Sequence, residues 1–103
     1  MEQITYTLRN MSKDQLVHEF QNNFRPIFKI SNNHNTTTIF ILEEYYFRIE
    51  SNLSITVIFD KIDDNSVEIN AIVSGGKKGI LEISWGAERK ALKKLTRFFE
   101  KYK

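Results

Sequence analysis

The stretch L-S-I-T-V-I-F-D-K-I-D-D-N-S-V-E-I-N-A-I-V, residues 53–73, decides the fold. Leu53, Ile55, Val57 and Phe59 alternate along its first half, and Val67, Ile69, Ala71 and Val73 repeat the alternation along its second. A period of two places each set on one face of a strand. Between the two runs, Asp63-Asp64-Asn65 supplies the short polar side chains that favour a tight turn. The stretch therefore predicts a β-hairpin with one covered face.

Residues 39–50, just upstream, are rich in Ile, Phe and Tyr. Ile39, Ile41, Tyr45, Phe47 and Ile49 are expected to face inward. A turn at Glu50 to Asn52 would join this run to the hairpin as an antiparallel meander. Ile58 and Ile72, with Phe40 and Leu42, fall on the opposite face and are too apolar for a purely solvated surface, so a homo-oligomer, most simply a dimer, is expected.

At the N-terminus, Ile4, Tyr6 and Leu8 alternate with Gln3, Thr5 and Thr7, which predicts another half-buried strand. Ser12-Lys13-Asp14-Gln15 then has the form of a capping box, and a helix over about 13–24 would present Leu16, Val17, Phe20 and Phe24. It must end at Arg25, because the residue before Pro26 is pushed out of the helical region. Ile27 to Ile30 reads as a short edge strand and Ser31 to Thr38 as a polar loop. Gly75-Gly76 breaks the last strand, and Ile80 to Ile83 is a short apolar stretch. Ser84 can cap a final helix running to about Tyr102, with Ala91, Leu92, Leu95, Phe98, Phe99 and Tyr102 as its buried stripe. The predicted class is α+β: a curved antiparallel sheet with an N-terminal helix and a long C-terminal helix on one face, in the order β-α-β-β-β-β-α.

The 103 residues make one domain, spanning 1–103. With no cysteine, disulfides and thiolate metal sites are excluded. No secretory signal and no apolar run of membrane-spanning length are present, so a cytoplasmic location is expected. Net charge is only +2 but unevenly spread: from Lys77 onward nine basic residues face three acidic ones, so that segment carries +6 and the remainder −4. Such asymmetry marks a polyanion-binding surface, or two surfaces that pair with each other.

Val67-Glu-Ile-Asn-Ala-Ile-Val-Ser-Gly-Gly76, followed by Trp85-Gly-Ala-Glu88 and Ala91-Leu-Lys-Lys-Leu95, resembles a family of short bacterial proteins known only as a domain of unknown function. The resemblance covers roughly 66–99 and takes in Ser74, Gly75, Gly76, Gly86 and Glu88; it implies no activity. A long C-terminal helix across a curved sheet is also similar, in element order alone, to the helix-grip, lipid-binding proteins.

Several residues are candidates for chemistry. Glu43 shares the parity of Ile39 and Ile41, and Glu88 lies near the stripe of the last helix. With Tyr45 and Trp85, these carboxylates could line an apolar pocket, where burial would raise a carboxyl pKa. A bulge at Glu43-Glu44 would turn the first outward, and Glu88 also suits the opening turn of a helix. Lys77 and Lys78, between glycines, could support an anion, although the segment fails the P-loop pattern and paired glycines also suit a strand end. Arg89, Lys93, Arg97 and Lys101 recur every four residues beside a Lys90–Lys94 pair. The four like-charge pairs cost about 1–2 kcal/mol in all, which an anionic partner would remove. No aromatic residues interleave on that face, which disfavours base stacking there. His18 and His34 are far apart and lack matching ligands, so no metal and no cofactor is expected.

These readings point first to a non-enzymatic binding or protein-interaction domain, holding a small apolar ligand between the sheet and the C-terminal helix. The alternative is anion or nucleic-acid binding through the basic C-terminal helix. An enzyme using Glu43 or Glu88 comes third.

Overall fold

The computed structural model describes residues 2–46, 51–75 and 81–103, with side chains over 3–43, 53–74 and 89–103. Seven elements follow in the expected order: β1 (Glu2–Arg9), α1 (Lys13–Phe24), β2 (Phe28–Ser31), β3 (Thr37–Tyr46), β4 (Ser51–Asp63), β5 (Ser66–Gly75) and α2 (Leu81–Glu100). The strands form one antiparallel sheet in the spatial order β1-β5-β4-β3-β2. The sheet is open, with β1 and β2 at its edges, and both helices lie on one face.

The hairpin is built as its turn residues require. The Asp63 carboxylate accepts a hydrogen bond from the Asn65 amide at 2.8 Å, and a register shift between Lys61 and Asp63 absorbs one extra residue. Asn10 takes a positive φ of 61° where β1 turns into α1. The next amide, Met11, donates to the Asn65 carbonyl at 3.0 Å, which fastens that junction to the hairpin. Ser12 then caps α1 by accepting from the Gln15 amide at 3.2 Å. Arg25, left-handed at φ 49°, ends the helix ahead of Pro26.

The interior is aromatic. Phe20 is fully buried, and its ring centroid lies 5.3 Å from that of Phe40, 5.2 Å from Phe59 and 5.8 Å from Phe98. From α2, Ala91, Leu92, Leu95, Phe98 and Phe99 pack onto Leu8, Val57, Phe59, Ile69 and Val73. Tyr6 of β1 holds the far end of α2 through a 3.3 Å hydrogen bond to the Glu100 carboxylate.

Three expectations are corrected. On β3 the inward residues are Phe40 and Leu42, both buried, whereas Ile39 and Ile41 are half-buried on the opposite face. Residues 39–42 are apolar without a break, so alternation is silent there, and the ladder decides. Phe40 pairs with Val57 and Leu42 with Ile55, the inward residues of β4. A one-residue change of parity exchanges the faces of a strand. Second, Tyr46 pairs with Ser51 and Tyr45 with Asn52, so Ser51 and Asn52 belong to a strand rather than to the expected turn; Phe47, Ile49 and Glu50 lie outside the described residues. Third, α2 starts at Leu81, which places Ser84 inside its first turn rather than at its cap. Leu, Glu and Ile are all tolerated by a helix, so the helix takes in most of the short apolar stretch ahead of Ser84.

Candidate functional site

The basic row of α2 follows from the burial of its other side. Because Ala91, Leu92, Leu95, Phe98 and Phe99 face the sheet, Arg89, Lys90, Lys93, Lys94, Arg97 and Lys101 are exposed. Along one flank this row meets the end of α1. There, Asn23 and Phe24 of α1 join Lys94, Arg97 and Phe98 of α2, and Lys101 in the turn just past its end, around a groove of about 280 Å³. Lys101 Nζ sits 5.1 Å from the centre of the Phe98 ring, and Phe24 meets Phe98 edge-on at 5.2 Å. Of the anion-binding candidates, the groove thus collects Arg97 and Lys101. Arg89 and Lys93 are not among its lining residues, and Lys77 and Lys78 lie outside the described residues. Asn23 and Phe24 were invisible as site residues, because nothing in the sequence says which part of α1 abuts α2.

The apolar-pocket candidates are not assembled in the same way. Glu43 is exposed, and the corrected parity of β3 turns it to the side away from the helices. The side chains of Tyr45, Trp85 and Glu88 lie outside the described residues. Over the described turns of α2, the space between helix and sheet is filled by Phe20, Phe59, Phe98 and Phe99.

A second recess, of about 240 Å³, is lined by Ser12, Lys13, Asp14, His34, Asn35, Lys61 and Asp64. Lys13 is its unusual member. Its side chain is only 3% exposed, and its ammonium donates to Asn35 Oδ1 at 3.2 Å with the Asp14 carboxylate 3.8 Å away. Burial pushes the Lys13 pKa down; Asp14 opposes this, and the repulsion of Lys29 and Lys61 adds to it. In the unfolded chain the amine regains its ordinary value of 10.5. Between the lowered folded value and 10.5 the unfolded state therefore binds more protons, so stability rises with pH across that window. Lys13 was missed because a lysine one residue inside a helix cap is ordinarily solvated. Tyr102 has the opposite sign: burial and the Glu19 carboxylate raise its phenol above 10.0, which lowers stability as pH climbs past that value.

The face of the sheet away from the helices is the third surface. Pairing aligns Phe28, Ile41, Thr56 and Ile72 in one row across β2–β5, and Ile30, Ile39, Ile58 and Asn70 in the next. Phe28 is 51% exposed and Ile30 52%, while Ile39, Ile41, Ile58 and Ile72 are half-buried against one another. Of the apolar residues expected to be exposed, Ile58 and Ile72 are here, and Ile39 and Ile41 stand in place of Phe40 and Leu42.

Fold and surfaces together define a two-layer α+β domain with helices on one side and, on the other, a sheet face that no described element covers. The chain belongs to the Family of unknown function (DUF6054), which matches residues 3–103 and so extends well beyond the 66–99 segment that carried the resemblance. No curated protein and no solved structure matches the chain. Among the described residues, no helix is long and apolar enough to cross a membrane.

Proposed function

We propose that this is a non-enzymatic, cytoplasmic interaction domain that pairs with a second copy of itself through the uncovered face of its sheet. The observation that carries the reading is the apolar double row on that face, in which Phe28 and Ile30 are each about half exposed. The five strands, from four residues in β2 to thirteen in β4 and about 4.8 Å apart, present about 700 Å². That is close to the share each partner contributes to an interface of ordinary size, about 1,600 Å² in total. The apolar strip runs from the β2 edge across β3 and β4 to β5, and Thr5, Asp60 and Glu68 give it polar margins on its other sides. A face-to-face pair is isologous, since each copy offers the same rows to the other.

Sedimentation of the whole chain tests this. The parent should form a dimer at micromolar concentration, and Ile58→Glu, in the middle of the patch, should return it to monomer with its helical circular dichroism intact. A parent that stays monomeric at high micromolar concentration, or a dimer that ignores Ile58→Glu, would refute the proposal.

A further inference from the structure

We infer that the groove between the end of α1 and the last turns of α2 binds the backbone of single-stranded nucleic acid, with a base against Phe24. This surface lies on the helical side of the molecule, and the inference does not depend on pairing through the sheet.

Charge spacing is the first argument. Lys94, Arg97 and Lys101 line the groove together, and the helix advances about 10 Å from the first to the last. Long lysine and arginine side chains spread over that length can reach successive phosphates of one strand. Lys90, exposed and one turn before Lys94, continues the row towards the N-terminus of α2 and favours a polymer over a single small anion.

The second argument is the floor. Phe24 is half-buried and borders the groove beside the three cations. Cations tracking a backbone beside an aromatic surface for a base is how single strands are held without sequence preference. In the sequence the basic face of α2 has no interleaved aromatics; the ring is supplied by the neighbouring helix.

The same depth separates nucleic acid from an anionic membrane. A helix that lies on lipid pushes apolar side chains beyond its cations into the acyl boundary. Here the order is reversed: Phe98 is 4% exposed and covered by the Lys101 ammonium, so the rings sit below the charges. A flat bilayer surface meets the charges before the rings, whereas a single strand can follow the cations and turn a base towards the exposed part of Phe24.

Fluorescence anisotropy with a labelled oligothymidylate of about twelve nucleotides, and flotation with phosphatidylserine vesicles, tests the inference. With three phosphates neutralised on a single strand, the log–log salt slope should be about −2, a loss of about 20-fold in affinity between about 50 and about 200 mM salt. The triple variant Lys94→Gln, Arg97→Gln, Lys101→Gln should remove that dependence, and Arg97→Gln alone should remove about a third of it. Phe24→Leu, which keeps an apolar side chain at the helix junction, should weaken binding about tenfold while leaving the salt slope unchanged. A loss of oligonucleotide binding on Ile58→Glu would not be expected, which keeps this test separate from that of the sheet face. The inference fails if the parent does not bind the oligonucleotide at low salt, if the triple variant binds as the parent does, if Phe24→Leu has no effect, or if the vesicles bind more tightly than the strand.

Discussion

Phe20→Ala strikes the point at which both layers meet. The Phe20 ring is fully buried and stacks on Phe24 at 4.7 Å, on Phe40 at 5.3 Å and on Phe99 at 6.2 Å, with Phe59 and Phe98 edge-on. Its truncation therefore removes contacts to α1, α2, β3 and β4 at once. The lost transfer energy of the ring is about 2–3 kcal/mol. A residual cavity of about 100 Å³ adds about 2 kcal/mol more at 24 cal/mol per Å³. The expected cost is thus about 4–5 kcal/mol, against a total of about 5–15 kcal/mol for a domain of this length. Urea unfolding followed by far-ultraviolet circular dichroism measures it directly, and the melting temperature should fall by about 15–30 °C. Phe20→Leu retains most of the volume and should cost about 1–2 kcal/mol. If Phe20→Ala costs less than about 1 kcal/mol, or no more than Phe20→Leu, the ring does not hold the layers together and the packing argument is wrong.

Two further outcomes follow from particular residues. Leu42→Ala should cost about 2–5 kcal/mol and Ile41→Ala about 1 kcal/mol, and the reverse order in urea unfolding would place the β3 register one residue off. Lys13→Met exchanges a buried ammonium for an apolar side chain of similar length, and the partners it leaves, the Asn35 amide oxygen and the exposed Asp14 carboxylate, are both reached by solvent, so it should be neutral or mildly stabilising. The gain in stability that the parent shows as pH rises towards 10.5 should be missing from this variant; an identical pH profile in the two proteins would mean that the Lys13 amine titrates as if in water.

How much of this was legible beforehand depends on whether the information was local. The β4–β5 hairpin, the Ser12 cap, the end of α1 before Pro26 and the buried stripe of α2 could all be read directly. Each is a matter of side-chain period or of a residue's effect on its own backbone. The order of elements followed from them. The basic row of α2 was equally plain, since a helix with one face committed to a core must present the rest to water.

Local patterns were silent wherever two segments distant in the chain had to be set against each other. Ile39, Phe40, Ile41 and Leu42 satisfy either face of a strand, and only pairing with Val57 and Ile55 chooses Phe40 and Leu42 for the core. Glu43 changes sides with them. Lys13 looks like any first-turn lysine until the loop bearing Asn35 folds over it. Phe24 looks like a core residue until α2 lays Arg97 and Lys101 beside it. By itself the sequence determined which segments are strands and helices, because period and capping act within a few residues. The tertiary structure alone decided which face of β3 is inside and which side chains share a groove, because register and helix contact are properties of pairs of segments.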